Sequence, residues 1–292
     1  MRYRSPSYIA FSWFNYIFII ALSLLCILPL IHIFAVSLSS KGPATANLVN
    51  FWPVGFTLDA YHQTLGNPSF LRALSIGVER TLLGTLISLA VTLMAAYSLS
   101  KSDLKFKGRT FYAWYFVFTM LFSGGLIPTY LVITNTGLNN SIWALVIPGA
   151  VNTWNMILML NFFRSLPNEL EDASLIDGAG HFRTMLQIFI PISLPGIATV
   201  GLFTMVNHWN SWFDGIIYLK HMKDYPLASF LQSIVVNDNL RQTGLDPAQL
   251  EQFSNRTVKA SQIFIGALPI LCVYPFLQKY FVKGMVLGSV KE

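Results

Sequence analysis

Residues 110–163 read TFYAWYFVFTMLFSGGLIPTYLVITNTGLNNSIWALVIPGAVNTWNMILMLNFF and contain no Lys, Arg, Asp or Glu. A charge-free stretch of this length accommodates two membrane-crossing helices, because about 20 apolar residues span the hydrocarbon core of a bilayer. The polar segment 134–141 predicts the turn between them. Polar and apolar residues do not alternate here as they do in barrel strands. The stretch therefore predicts an all-α integral membrane protein.

Composition supports the same class. Of the 292 residues, 54% are hydrophobic and 11% charged, and the mean hydropathy is +0.54. Soluble domains are about 25% charged, so this chain is predicted to be neither a cytosolic enzyme nor a disordered tail. Cys26 and Cys272 both lie in apolar runs, which suggests neither a metal site nor a disulfide framework.

Charge-free gaps elsewhere in the chain predict the remaining spans. Together with the two above, we expect six transmembrane helices, with the others at residues 13–37, 81–100 (starting near Phe70), 184–213 and 260–278. Residues 35–37 also resemble a cleavage site, so removal of the first span as a signal peptide stays open. Gly124, Gly125 and Pro128 interrupt the third span and favour a kink or a tight helix crossing.

The distribution of Lys and Arg predicts the orientation. With the N-terminus inside, eleven of these residues fall in inside segments and six in outside segments, so both termini are expected in the cytoplasm. We predict a first segment 1–68 with the first span and an outer loop, a transmembrane domain 69–283 and a tail 284–292. The outer segments 38–68 and 219–258 are either docking surfaces or solvated connectors. No basic stripe indicates nucleic-acid binding.

The segment 166–191, LPNELEDASLIDGAGHFRTMLQIFIP, lies in an inside loop, 165–191. Pro167 and Asn168 favour a helix start, and acidic residues follow in the first turn, where they complement the helix dipole. Gly178 predicts the helix end. A second helix is expected from His181 into the fifth span, with Pro191 at the join. Such a helix-turn-helix is either held by another protein or lies on lipid headgroups.

This segment resembles the signature of ATP-binding-cassette (ABC) importer permeases, an E-A-A triplet followed at fixed offsets by G and by I-x-L-P. Here the triplet reads Asp172-Ala173-Ser174, and Gly178, Ile188 and Pro191 stand at the expected offsets. Residues 123–130, 143–149 and 274–284 with 288–291 resemble carbohydrate importer permeases. The subgroup is the maltose-type second permease, and more narrowly the importers of oligosaccharides such as alginate and pectin fragments.

The resemblance implies a type I ABC importer permease, a multi-pass, non-catalytic subunit in the bacterial cytoplasmic (inner) membrane. It also implies four kinds of partner: a related but non-identical permease, two ATPase subunits, an extracytoplasmic solute-binding protein and an oligosaccharide. ATP and magnesium would be bound by the ATPase subunits, and this sequence contains no G-x-x-x-x-G-K-[ST] phosphate-binding loop of its own. Transport would proceed by alternating access.

The resemblance further implies that the helix 168–178 couples this chain to an ATPase. The expected coupling residues are Glu169, Glu171, Asp172, Ala173, Ser174, Asp177, Gly178, Gly180, Arg183 and Pro191.

Polar and aromatic residues within the spans are candidates for a sugar pathway, because pockets need a few polar groups on an apolar wall. The candidates are Glu79, Arg80, Asn152, Asn155, Asn207, Trp209, Asn210 and Trp212. The tryptophans could instead form an aromatic belt, and the asparagines could bond neighbouring helices. Arg80 would be the natural counter-charge for an acidic sugar. His32 is expected to have a packing role.

Three other functions remain as alternatives. An amino-acid or other small-solute permease of the same superfamily is the first. An ion-coupled secondary transporter is the second, although it would need acids in mid-span and inverted repeats. A membrane enzyme is the third, although no metal cluster or nucleophile–base pair is apparent.

Overall fold

The computed structural model describes the backbone of residues 5–237 and 255–289 and the side chains of residues 5–234 and 255–275. Within those ranges the regular structure is helical and no strand occurs. The chain divides into two compact units. Unit 1 comprises Met1–Leu71 with Ser233–Leu268, and unit 2 comprises Arg72–Gln232 with Pro269–Glu292.

Helices α1 to α8 follow one another along the first part of the chain: α1 (Pro6–Ser37), α2 (Lys41–Thr45), α3 (Asp59–Leu65), α4 (Pro68–Ser100), α5 (Arg109–Leu121), α6 (Leu126–Asn135), α7 (Trp143–Val146) and α8 (Thr153–Arg164). The second part contains α9 (Asn168–Ile176), α10 (His181–Thr184), a π-helical segment (Met185–Phe189), α11 (Ile190–Ile192), α12 (Leu194–Asn210), α13 (Phe213–Tyr218), a 3-10 turn (Met222–Asp224), α14 (Leu227–Asn237) and α15 (Arg256–Ser289). Helices α4, α14 and α15 each begin in one unit and end in the other.

Helix α1 starts earlier than the predicted first span. The Ser5 hydroxyl accepts a hydrogen bond from the Tyr8 N–H at 3.3 Å, and Pro6 occupies the first helical position, where its missing N–H costs nothing. The side chains of α1 are mostly exposed and apolar up to its last turns. Such a surface fits a lipid environment or a partner helix rather than water.

The core of unit 1 is small and lies at the end of α1. Its buried residues are Ala35, Val36, Ala44, Val49 and Ala260. Polar bonds close the unit around this core. The Ser261 hydroxyl lies 2.5 Å from the Thr64 hydroxyl, and His32 Nδ1 lies 2.8 Å from the Asn50 carbonyl oxygen. His32 therefore links α1 to the segment that follows α2 through a hydrogen bond.

Two of the predicted spans are broken. Helices α5 and α6 meet at an angle of 116°, and the segment α10–α11 meets α12 at 86°. The first break includes Gly125, whose φ of 86° is a left-handed conformation that glycine adopts at no steric cost. The second break falls at Ser193, two residues beyond the join predicted at Pro191. Pro191 lies in the last turn of the segment α10–α11.

The described residues contain three helices long and apolar enough to cross a membrane, α1, α4 and the part of α15 up to Pro275, or up to five spans if each bent pair counts once. The predicted fourth span is divided into α7 and α8, with Pro148 and Gly149 between them, so neither piece meets that length. The count of six stays a prediction. Helix α14 lies within the predicted outer segment 219–258, of which residues 238–254 lie outside the described residues.

The core of unit 2 brings α4, α8, the π-helical segment and α12 together. Its buried residues are Leu93, Ala96, Tyr97, Leu99, Met156, Met159, Leu160, Phe163, Met185, Phe189 and Val200. At its centre the Tyr97 and Phe189 rings meet edge-on at 5.0 Å, and Phe163 packs against both. A Cβ on Gly84 would lie 2.6 Å from the His208 ring, so α4 and α12 pack very closely.

Candidate functional site

The loop 165–191 forms the helix-turn-helix that its sequence predicts. Helix α9 follows Pro167 and carries Glu169 and Glu171 in its first turn. It ends at Ile176 with Asp177 as its C-cap, and Gly178 has a φ of 78°. The turn is closed by a hydrogen bond of 3.0 Å from the Ala179 N–H to the Ser174 carbonyl oxygen, a pattern typical of helix C-termini. Helix α10 begins at His181, as expected.

The side chains of two predicted coupling residues are buried against other parts of this chain. Glu171 and Ser174 lie one turn apart on α9 and are 4% and 5% exposed. The Ser174 hydroxyl lies 2.6 Å from the Thr184 hydroxyl, which also donates to the Gly180 carbonyl oxygen at 3.2 Å. One face of α9 is thus occupied by contacts within this chain.

Glu171 is the centre of a cluster of charges. Its carboxylate lies 2.9 Å from Lys101 Nζ, 3.4 Å from Lys105 Nζ and 3.7 Å from His181 Nδ1. Lys105 Nζ also donates to Asp172 Oδ1 at 2.9 Å. Two positive side chains that follow α4 therefore converge on the acidic face of α9.

The two lysines occupy different environments. The Lys101 side chain is 7% exposed, and its ammonium lies 3.6 Å from the centre of the Tyr97 ring and 4.4 Å from that of Phe189. Burial lowers the pKa of Lys101, and the neighbouring Glu171 carboxylate opposes that change. Lys105 is 36% exposed, and its hydrogen bond to Asp172 raises its pKa.

The remaining coupling candidates lie on the outer face of the loop. They are exposed side chains or glycines: Glu169, Asp172, Ala173, Asp177, Gly178, Gly180, Arg183 and Pro191. Two large apolar residues that were not predicted as coupling residues lie beside them, Ile176 at 86% exposed and Phe182 at 65%. Both could have been found from the sequence, because each is a large apolar residue close to the glycine turn of a charged loop. The outer face is therefore mixed, acidic and apolar.

Arg80 is buried between helices. Its side chain is 2% exposed, and its guanidinium pairs with Asp214 of α13 and donates to the Ser211 carbonyl oxygen at 2.8 Å. An acidic sugar would have to compete with Asp214 for this charge. No local sequence pattern indicates this pairing, beyond the rule that a buried guanidinium requires an acid.

The asparagine candidates play two different structural roles. Asn155 is 5% exposed, and its amide donates to the Thr204 hydroxyl at 3.2 Å, which joins α8 to α12. Asn152 is exposed at the start of α8, where its side chain accepts the Asn155 N–H at 3.0 Å. It therefore caps the helix. The bonding of Asn155 to a neighbouring helix is the alternative weighed from sequence.

The other pathway candidates stand nearer the surface of unit 2. Glu79 is exposed although Arg80 beside it is buried, since neighbouring helical positions face different sides. Asn207, Asn210 and Trp212 are also exposed, and Trp209 is half-buried. His208, between Asn207 and Trp209, is buried with its ring Nε2 3.5 Å from the Ser88 hydroxyl.

Comparison with known proteins supplies the family. No family model matches the chain. Protein LplC of Bacillus subtilis (strain 168) is 39% identical over 277 residues, 95% of this chain and 93% of LplC. The polygalacturonan/rhamnogalacturonan transport system permease protein YtcP of the same organism is 37% identical over 286 residues, 96% of this chain and 98% of YtcP. The crystal structure of a bacterial ABC transporter for the acidic polysaccharide alginate contains a chain with a TM-score of 0.86 and 29% identity, covering 96% of this chain and 100% of that one.

The chain belongs to the sugar permeases of ABC transporters. The resemblance found in the loop 165–191 is thereby confirmed by similarity over nearly the whole chain. This ABC sugar permease is an all-helical protein with several long apolar helices. The relatives described above do not favour the amino-acid permease, the ion-coupled transporter or the membrane enzyme.

This ABC sugar permease has two polar regions, the loop 165–191 and the buried polar pairs between its helices. One face of the loop 165–191 contacts other parts of this chain, and the other face is exposed. The buried pairs between helices, Arg80 with Asp214 and Asn155 with Thr204, hold α4 to α13 and α8 to α12. The permease therefore combines a firmly held helix-turn-helix with polar links inside its helical bundle.

Proposed function

We propose that this permease moves an oligosaccharide across the bacterial cytoplasmic membrane by alternating access, with six spans and both termini in the cytoplasm. It would act with a related permease, two ATPase subunits and an extracytoplasmic solute-binding protein. The excess of Lys and Arg in the segments that we assign to the inside supports this orientation. In this proposal, residues 1–68 contain the first span and an outer loop. Residues 69–283 form the transmembrane domain, and residues 284–292 form a cytoplasmic tail.

The observation that carries the proposal is the division of α9 into two faces. Glu171 and Ser174 hold the inner face, whereas Asp172, Ala173 and Ile176 stand exposed on the outer face. An exposed apolar side chain flanked by acids fits a cleft on a partner protein, where the apolar group is removed from water. In our proposal that partner is the ATPase, and residues 168–178 are the coupling helix.

Alternating access requires that the contacts with the ATPase differ between the two states. A ligand or partner shifts a conformational equilibrium only by its differential affinity for the two states. Helix α9 can transmit such a difference because its inner face is fixed to the rest of unit 2 by buried ion pairs and hydrogen bonds. ATP and magnesium would be bound by the ATPase and not by this chain.

We infer that the substrate is an oligosaccharide that contains uronic acid. YtcP is named for polygalacturonan and rhamnogalacturonan, and the structurally similar chain comes from an importer of alginate. Asn152, Asn207, Asn210 and Trp212 have exposed polar or aromatic groups that could contact the hydroxyl groups and ring faces of a sugar. Arg80 and Asn155 would shape the pathway through their buried partners.

The proposal is tested by reconstitution of the assembly. The permease is co-expressed with a candidate second permease and ATPase, purified, and placed in liposomes with the binding protein. ATP hydrolysis is measured with oligogalacturonate, oligoalginate and maltodextrin. Stimulation by one of the acidic sugars is expected. Failure to co-purify with any ATPase overturns the proposed coupling, whereas stimulation by maltodextrin alone overturns only the inferred sugar class.

A further inference from the structure

Lys101 stands where three elements of unit 2 meet. It directly follows α4, its ammonium lies 2.9 Å from the Glu171 carboxylate of α9, and it lies over the ring of Phe189 in the π-helical segment. The ring of Tyr97, one turn earlier on α4, encloses the ammonium at 3.6 Å. No other lysine among the described residues has such an enclosed environment.

Because both charged groups are enclosed, Lys101 and Glu171 must stay in contact with each other. Both side chains of the pair are almost fully buried, at 7% and 5% exposed. A buried ammonium and a buried carboxylate each lose their hydration, so each is tolerated only while the other is present. Separation of α9 from the end of α4 would take both lysines away from Glu171 and leave the Lys101 ammonium without its carboxylate. The two elements are therefore expected to move together.

Lys105 provides the contrast. It contacts the same carboxylate at 3.4 Å, and Asp172 at 2.9 Å, but its side chain is 36% exposed. Water can replace its partners at little cost, since exposed ion pairs contribute little. The firm link between α9 and α4 thus depends on Lys101.

The same group also reaches the irregular part of the fifth span. Phe189 ends the π-helical segment, and the break at Ser193 follows four residues later. Single π-helical turns often occur at functional sites, where a helix deviates from regular geometry. Lys101 therefore connects the inner face of α9 both to a straight helix, α4, and to a helix that bends.

We propose that Lys101 is the positioning residue that transmits the motion of α9 to α4 and to the bent fifth span, an inference that rests on the proposed coupling role of the loop. Lys101 does not contact the ATPase in this scheme. It acts through Glu171, so that a displacement of α9 by the ATPase displaces α4 with it. Without Lys101, α9 would still meet the ATPase, but its motion would no longer be passed on.

The test compares Lys101→Met with Lys101→Arg, Lys105→Met and Lys107→Met in the reconstituted assembly. We expect Lys101→Met to keep co-purification with the ATPase and to lower the sugar transported per ATP hydrolysed by about tenfold, within the usual range of coupling between sites. Lys101→Arg, which keeps the charge, is expected to restore most of this ratio. Lys105→Met should have a much smaller effect, and Lys107→Met, at an exposed position, should have none.

A wild-type ratio of transport to hydrolysis in Lys101→Met would overturn the inference. If Lys101→Met does not fold, the double variant Lys101→Met with Glu171→Gln removes both buried charges and takes its place. A wild-type ratio in the double variant would overturn the inference equally. If the wild-type assembly itself shows no ATPase binding, the proposed function fails, whereas a coupled wild type with a coupled Lys101→Met discards only the role of Lys101.

Discussion

The hydroxyl of Ser174 lies 2.6 Å from the hydroxyl of Thr184. Ser174 occupies the third position of the signature triplet, where the family pattern has alanine, and its hydroxyl bonds α9 to α10 across the glycine turn. The substitution of serine for alanine therefore adds a buried contact inside this chain. The other side of α9 stays exposed, with Ala173, Ile176 and the Asp172 carboxylate that Lys105 contacts.

Ser174→Ala is expected to lower the free energy of unfolding by about 1 kcal/mol, because one buried hydrogen bond is lost while Thr184 keeps the Gly180 carbonyl. The thermal unfolding midpoint of the purified protein in detergent measures the change. Ser98→Ala is the control, since that exposed hydroxyl bonds only the Met94 carbonyl. Equal midpoints for Ser174→Ala and wild type would contradict the prediction.

Gly178→Pro is expected to prevent assembly with the ATPase or to uncouple ATP hydrolysis from transport. Proline fixes φ near −65°, whereas the turn requires 78° at this position. Gly178→Ala should be milder, with a cost of about 1–2 kcal/mol for a left-handed residue. Gly180→Ala is the matched control in the same turn, since its φ is −75° and a Cβ there meets open space. Transport by Gly178→Pro at the wild-type rate would refute the coupling assignment.

Asp214→Asn is expected to destabilise the permease by about 3–5 kcal/mol, because the buried guanidinium of Arg80 loses its counter-charge. Asp224→Asn is the matched control. Its partner Arg72 has a side chain that is 57% exposed, and exposed pairs contribute at most about 1 kcal/mol. The yield of folded protein in the membrane and the thermal midpoint report the difference. Similar losses in the two variants would argue against a structural role for the Arg80 pair.

Arg80→Gln is expected to lower the transport of an acidic and of a neutral oligosaccharide by similar factors. The reason is that Asp214 already neutralises Arg80, so the loss acts on the packing of α4 against α13 rather than on sugar charge. Uptake of labelled oligogalacturonate and maltodextrin by the same proteoliposomes measures the two factors. A selective loss of the acidic sugar would instead restore Arg80 as its counter-charge.

Thr204→Val is expected to cost about 1 kcal/mol, since the buried Asn155 amide loses its acceptor on α12. Thr199→Val is the control, because the half-buried Thr199 hydroxyl bonds only the Pro195 carbonyl on its own helix. Thermal midpoints in one detergent allow the comparison. If Thr199→Val proves as costly as Thr204→Val, the link between α8 and α12 contributes nothing.

Sequence by itself determined the membrane class, the family resemblance and the bounds of the helix-turn-helix. Each depends on local patterns. Charge-free runs follow from the width of a bilayer, and the start of α9 after Pro167 and its end before Gly178 follow from the backbone preferences of neighbouring residues. The first and last long helices were found for the same reason, although α1 begins earlier than predicted.

Only the tertiary structure decided which side chains are used within the chain. Glu171 and Asp172 are adjacent acids in the sequence, yet Glu171 is buried against Lys101 whereas Asp172 is exposed. Arg80 pairs with Asp214 across 134 residues, and the breaks at Gly125 and Ser193 divide runs that are continuous in hydropathy. The physical reason is that burial and pairing depend on the approach of distant helices, and local propensity carries no information about that approach.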